Sequence, residues 1–427
     1  MKNLIINMFN LEPHNIEQLD IISCGNENFA TITLRMKPTV CPHCGNYSSL
    51  IHDYYNRTLN HSVLADHHLT VIYKRRRYYC RKCKHAFPEK NPFSLPGRRI
   101  SKATVLKIMK LLQKQTLTFT DVSDIVGVST STVIRVFDEY AGVRSFPFPK
   151  ALCIDEVYVN KYLQQEYACV LMDFNHGNIF DLLPSRKKEH LASYFSLIPK
   201  GTRLSVKYVS IDMWNIYRDI ASEYFPKAMI CVDSFHVIQM INNAFDKVRI
   251  RIMNTYERIT EEYRLLKKYH WLLKKSADKI EYGKILDLHH YYSIVGARHI
   301  SQEALISRLL LISPELELAY ELKTDYVAIN ATSNFQNAEY RIDKFLEDIK
   351  IYGIPEFYST RRTMKRWKTE IVNSFQKYNG RRISNGPIES MNSRIKKLKR
   401  NGNGYKSFER FRTRCLYTLN KGASIKF

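Results

Sequence analysis

The sequence predicts an α+β multidomain chain. Three observations point there: two CxxC pairs among strand-like runs near the start, a helix pair with a glycine at its turn, and a strand-rich stretch carrying aspartates. At 427 residues the chain is too long for one ordinary core. Hydrophobic residues make up 44% of it, enough for several cores. The expected boundaries are 1–95 for an N-terminal zinc-binding β domain, 96–148 for a helix-turn-helix, and 149–240 for a mixed strand–helix domain. An all-helical insertion is expected over 241–375, and residues 376–427 return to the interrupted domain.

Composition narrows the partner. Lys and Arg number 66 against 41 Asp and Glu, a net charge of +25. Solubility alone needs a net charge of only ~2–8 in magnitude. A polyanion, nucleic acid first, is therefore expected. No run of about 18 or more apolar residues occurs, so no membrane partner is expected. The opening "MKNLIINMFNLEPHN" has too short an apolar run for a signal peptide, which makes the cytoplasm the expected location. Nine cysteines in a reducing compartment serve as thiols or metal ligands.

Cys41 and Cys44 in "CPHC", with Cys80 and Cys83 in "CRKC", form two knuckles. Each places two thiolates on one side of a tight turn, and two knuckles make a tetrahedral site suited to one structural Zn2+. The spacing between them requires a small hairpin domain in the gap. His43 and His85 are possible substitutes for a cysteine, and four unligated thiols are the plain alternative. "YKRRRYYC" leads into the second knuckle, and its Lys74, Arg75, Arg76 and Arg77 suit phosphate contacts. A solvated strand face would use the same residues.

"TFTDVSDIVGVSTSTVIRVFDEY" fits a helix-turn-helix. Val122, Ile125 and Val126 give the first helix an apolar face. Gly127 lies where positive φ is easiest for glycine, and Ser129 can cap the next helix. Val133, Ile134 and Phe137 turn inward, which leaves Thr130, Ser131, Thr132 and Arg135 for a DNA groove. An ordinary helical hairpin is the alternative. "SKATVLKIMKLLQ" (Ser101 to Gln113) would be the supporting helix, and "GVRSFPFPK" the linker that follows the pair.

"KALCIDEVYV" carries Asp155 and Glu156 inside an apolar run, where buried carboxylates cost free energy unless a metal or partner compensates. "YACVLMDFNHGNIFDLLPS" reads as two strands turning at His176 and Gly177, and "LSVKYVSID" as a fourth strand ending at Asp212. "MWNIYRDIASEYF" is a helix, and "AMICVD" a fifth strand ending at Asp233. Three strands, then strand, helix and strand, is the order of a ribonuclease-H-like fold. In that fold strands one and four are neighbours, which brings Asp155 and Asp212 together. Asp233 should lie farther off and cap the helix that begins near Ser234.

"ISNGPIESMNSRIKKLKR" supplies a third acid. Ser384 or Asn385 can cap its helix, Pro387 suits the first turn, and Glu389 follows. Asn392 and Ser393 lie one turn on. Arg394, Lys396 and Lys397 open a strongly basic stretch suited to DNA. A capped, solvated helix is the bland reading.

The CxxC pairs, the helix-turn-helix, "IDE…SIDMW…Y…FP…VDSFHV" and "SNGPIESMNSRIKKLKR…GYKSFERFR" span nearly the whole chain in order. With them the sequence resembles a DDE-type bacterial insertion-sequence transposase of the ISL-three family. That resemblance implies that Asp155, Asp212 and Glu389 are the catalytic acids of the interrupted ribonuclease-H-like domain. It implies two Mg2+ ions there, replaceable by Mn2+, and activity on the terminal inverted repeats of an element and on target DNA. A homodimer or higher oligomer is also expected. Asp233 and His236 match an Asp-x-x-His motif after the second acid. His236 then contacts DNA, braces the acids or packs under the insertion. Ser390 departs from the glycine usual after the Glu. Two other functions use the same features: a DNA-binding regulator derived from such an enzyme, and a nuclease that never joins strands.

Overall fold

The computed structural model describes residues 6–426 except 8, 10, 26, 65–66, 95–97, 144–145, 160–165 and 277–278. Part of the expected linker, residues 144–145, lies outside the described residues. The chain divides into two compact units, Met1–Ser145 with Arg394–Phe427, and Phe146–Ser393.

In the first unit, β1 (Ile16–Cys24), β2 (Glu27–Leu34), β3 (Ile51–Leu64) and β4 (His67–Tyr79) form a sheet in the order β1-β2-β4-β3, and β5 (Ala86–Pro88) pairs with β4. Only the β2–β4 pairing is parallel. Strands β3 and β4 run 14 and 13 residues. Neither stretch contains Gly or Pro, and the pairing is unbroken from Asp53 to His61, with a register shift near each end. Together they are the hairpin that fills the gap between the knuckles. Ala30, Ile32, Leu59, Val71, Tyr73 and Phe93 build the core beneath.

Helices α1 (Lys102–Leu112), α2 (Phe119–Val126) and α3 (Thr130–Tyr140) follow. Ser101 caps α1 by accepting from the Thr104 N–H, Thr118 and Asp121 form a capping box on α2, and Ser129 accepts from the Thr132 N–H. Gly127 closes α2 at φ 69°, in the left-handed region. Two expected core positions are corrected. Ile125 is 42% exposed, and Ile134 is only half-buried, while Val136 is fully buried beside Val133 and Phe137. The contact face of each helix is set by its neighbours within the three-helix cluster, about one position away from the apolar stripe read along the sequence.

The chain's last helix, Phe408–Leu419, belongs to this unit. The Arg414 guanidinium donates to the carbonyls of Leu112, Lys114 and Leu117, and the Tyr417 hydroxyl to that of Met109. Residues 394–427 therefore group with the N-terminal unit, although the sequence placed all of 376–427 with the interrupted domain.

In the second unit, β6 (Ala151–Tyr158), β7 (Tyr167–Asp173), β8 (Ile179–Leu183), β9 (Tyr208–Ile211) and β10 (Met229–Val232) form one sheet in the order β8-β7-β6-β9-β10. Strands β6, β9 and β10 are parallel, and β7 is antiparallel to both its neighbours. Strands one and four are side by side, as the ribonuclease-H-like order requires. Helices α4 (Lys188–Ser196) and α5 (Asn215–Tyr224) flank the β9 crossover. Helix α6 (Ser234–Met253) starts directly after β10 and runs into the insertion. The insertion is not wholly helical. Ile285–Tyr292 and Ala297–Ser301 pair as an antiparallel hairpin, in a stretch rich in Ile, Tyr and Leu with Gly296 at φ 73° in its turn. Helix α7 (Gly386–Asn401) carries the final acid. No helix among the described residues is long and apolar enough to cross a membrane.

Candidate active site

Strand register builds the site. Ser210 pairs with Cys153, and Ile211 with Val232. Continuing each register places Asp155, Asp212 and Asp233 in a row across three neighbouring parallel strands. Asp212 and Asp233 directly follow their strands, at the carboxyl ends where open sheets bind ligands. Helix α7 brings Glu389 in its first turn and Asn392 one turn later. Asn392 donates from Nδ2 to Asp155 Oδ2 at 2.8 Å and to the Glu156 carbonyl at 3.3 Å.

The carboxylates differ in their partners. Glu156 is satisfied within the protein. It accepts from Arg186 Nη1 at 2.7 Å and from the Tyr217 hydroxyl at 3.2 Å. Arg186 in turn lies over the rings of Tyr167 and Trp214, 4.2 and 4.9 Å from their centroids. Asp155 and Asp212 appear in no ion pair among those of the described residues, and Asp212 Oδ1 is buried without a hydrogen-bond partner. Burial, then repulsion from Glu156, Asp212 and Glu389, pushes Asp155 up to about 7, against the pull of the Glu156 N–H. Burial and the Glu156 charge push Asp212 up to about 6, with His236 and Arg186 pulling the other way. Glu389 is raised by burial and by Asp233, and lowered by His236. Half-buried like charges without a cation fit hard divalent ions, whose ligands are carboxylate oxygens.

Asp233 departs from its expected role. It occupies the N-cap position of α6 but makes no side-chain cap bond. Its Oδ1 accepts instead from the Asn385 N–H at 3.2 Å, so the carboxylate is turned toward the start of α7. The ligand atoms of Asp233, His236 and Glu389 lie within 4.8 Å of one another. The trio Asp155, Asp212 and Glu389 is not among the groups that meet that distance. Neither Asn385 side-chain atom has a partner, so Asn385 does not cap α7 through its side chain. Ser390 is exposed on a continuous helix, where a glycine is not required.

A cleft of about 380 Å3 opens beside Asp212 and His236, lined also by Gln239, Asn243, Lys247 and Thr360. Sequence reading missed it. The signal was present: His236, Gln239, Asn243 and Lys247 recur at helical spacing on one face of α6.

In the first unit the four cysteines meet. Cys41 and Cys83 Sγ are 3.6 Å apart and Cys44 and Cys80 Sγ 3.5 Å, and all four lie within 4.8 Å. Thiolates around one Zn2+ at ~2.3 Å would be about 3.8 Å apart, so the cluster fits that ion. Gly45 at φ 72° and Lys84 at φ 54° complete the two turns. His43 and His85 stack on each other, 4.4 Å between centroids, outside the group of four.

The expected DNA-contacting residues separate. Arg76 is withdrawn from that set. It is 1% exposed and held by Glu17 at 2.8 Å and Glu89 at 3.2 Å. Arg75 is tied to the Glu89 carbonyl and the Tyr55 hydroxyl, and the exposed Arg77 to Asp53. Thr130 is half-buried and bonded to Ser123 Oγ at 3.0 Å. That bond, with one to the Thr120 carbonyl at 2.8 Å, satisfies the buried Ser123 hydroxyl. Thr132 is half-buried against Ser129 at 2.9 Å. Ser131, Arg135, Arg394, Lys396 and Lys397 are exposed.

Comparison with known proteins finds three family matches along the chain. Residues 152–415 match a DDE-type ISL3 family described as "Transposase". Residues 89–141 match the helix-turn-helix domain of transposase family ISL3, and 37–83 the zinc-finger of transposase IS204/IS1001/IS1096/IS1165. The transposase for insertion sequence element IS1001 of Bordetella parapertussis is 24% identical over 258 residues, 59% of this chain and 63% of that protein. The transposase for insertion sequence element IS1557 of Mycobacterium tuberculosis is 22% identical over 340 residues, 75% of this chain and 68% of its own length. A Lactococcus lactis protein named "ATP-dependent protease" is 31% identical over 119 residues, 28% of this chain and 35% of that protein. The chain thus spans less than two-thirds of the IS1001 transposase and of the Lactococcus protein, and it carries no GxxxxGK[ST] phosphate loop. With the strand order, the acid-bearing strand ends and the four-cysteine cluster already in place, the family match over 152–415 settles the lineage: the chain belongs to the ISL3 family of transposases.

Proposed function

We propose that this protein binds the terminal inverted repeats of an insertion sequence and cleaves and rejoins DNA strands at Asp155, Asp212 and Glu389. The observation that carries the reading is a pair of half-buried acids, Asp155 and Asp212, in register on neighbouring parallel strands, neither in an ion pair among the described residues, with Asn392 of the glutamate-bearing helix bonded to Asp155. Glu156, equally buried in sequence terms, has its own cation in Arg186. Divalent ions held by Asp155, Asp212 and Glu389, Mg2+ or Mn2+, would supply Lewis-acid stabilisation of the attacking and leaving oxygens. Asn392 orients Asp155 for that task. Ser131 and Arg135 present the groove-facing side of α3, and Lys396 and Lys397 add phosphate contacts. One Zn2+ on Cys41, Cys44, Cys80 and Cys83 holds the N-terminal fold around the knuckles. A strand-transfer assay on end-labelled terminal DNA tests the reading. Joined products are expected. Cleavage without joining would make the protein a nuclease, and binding without either would make it a regulator.

A further inference from the structure

Asp233 is 2% exposed, and its Oδ2 has no hydrogen-bond partner. A buried carboxylate oxygen left in that state costs free energy unless a cation meets it. The side chain does not do the work its N-cap position offers. Its Oδ1 is instead held by the Asn385 N–H, which orients the carboxylate toward α7. His236 lies three residues on, in the first turn of α6, and Glu389 in the first turn of α7. The ligand atoms of all three lie within 4.8 Å of one another, and no hydrogen bond joins the three side chains among those of the described residues. Ligand atoms around one small divalent ion are about 3–4 Å apart, so a small side-chain rotation closes the group. His236 also lines the cleft of about 380 Å3, so one of the three ligands borders it.

We propose that Asp233, His236 and Glu389 form a further divalent-cation site, sharing Glu389 with the Asp155 and Asp212 side of the row. Two carboxylates and an imidazole make a mixed oxygen and nitrogen donor set. Such a set ranks Mn2+ above Mg2+, whereas an all-carboxylate set suits Mg2+. The site therefore accounts for an Asp-x-x-His pair placed two strands away from Asp155. It deepens the proposed function only through the shared Glu389, and its metal chemistry is testable without DNA.

The test is Mn2+ titration of the full chain without DNA, read by electron paramagnetic resonance for bound equivalents and by pulsed measurement for 14N coupling. Wild type is expected to show Mn2+ with histidine 14N coupling. Asp155→Asn should retain it. Asp233→Asn and His236→Gln should lose it, with Mn2+ affinity at this site at least tenfold weaker. Asp233→Asn keeps an oxygen for the Asn385 N–H, so it guards against simple misfolding. Absence of 14N coupling in wild type, or its persistence in either variant, overturns the proposal. Failure of the cleavage reading would show separately, as inactivity of a protein whose Mn2+ spectra follow this pattern.

Discussion

Asn392 Nδ2 donates to Asp155 Oδ2 at 2.8 Å, tying the helix that carries Glu389 to the central strand of the sheet. Both groups are separated by more than two hundred residues of sequence, including the whole insertion. The bond therefore sets the height of Glu389 over the strand ends. Asn392→Ala should lower single-turnover cleavage by about 10–100-fold, the usual effect of losing a group that orients a metal ligand. Binding to terminal DNA should be unchanged. A cleavage rate equal to wild type would show that the bond positions nothing.

Zinc is expected at one equivalent per chain in protein purified without chelator. Cys80→Ser should release it and weaken sequence-specific binding at least tenfold, with a smaller effect on nonspecific binding. The knuckles hold a small fold together, while nonspecific affinity comes from summed basic charge. Elemental analysis and gel shifts on the same preparation check this. A zinc-free wild type that binds normally would contradict it.

The raised acids give a pH dependence with a definite sign. Asp155 and Asp212 are shifted from 3.8 to about 7 and about 6 in the folded chain. A raised carboxyl binds its proton more tightly folded than unfolded. Its contribution to stability is full below 3.8 and is lost as pH rises through about 6 and 7. Divalent ions relieve the same repulsion. The rise in Tm on adding Mg2+ should therefore be larger at pH 8 than at pH 5. Equal shifts at the two pH values would place the ion elsewhere.

The two aspartates that end β9 and β10 should behave differently. Asp212→Asn should remove essentially all cleavage, because it neighbours Asp155 in the row. Asp233→Asn should retain measurable cleavage, since Asp233 lies one strand farther out, and His236→Ala should fall between. Single-turnover rates at saturating Mg2+ decide the order. An inactive Asp233→Asn beside an active Asp212→Asn would reverse the assignment.

The sheet was legible because each strand is an apolar run with its acid in register, and the order of elements leaves few topologies. The knuckles and the helix-turn-helix were legible from spacing and caps alone. Less visible was everything that depends on which way a side chain turns. Arg76 read as a phosphate contact, yet it is buried and paired with Glu17 and Glu89. Asp233 read as a cap, yet the Asn385 N–H, 152 residues away, holds its carboxylate. Thr130 and Thr132 read as groove-facing, yet local hydroxyl bonds to Ser123 and Ser129 engage them. Such competition between partners, near or distant in sequence, leaves no periodic signal.

The central claim is that Asp155, Asp212 and Glu389 carry metal-dependent strand cleavage. The most direct measurement compares wild type with Asp155→Ala and Glu389→Ala on end-labelled terminal DNA in Mg2+, with gel-shift binding on the same preparations. Both variants should lose cleavage by at least a thousandfold while binding within about threefold of wild type. Cleavage that survives either substitution, or binding that falls as far as cleavage, would contradict the account.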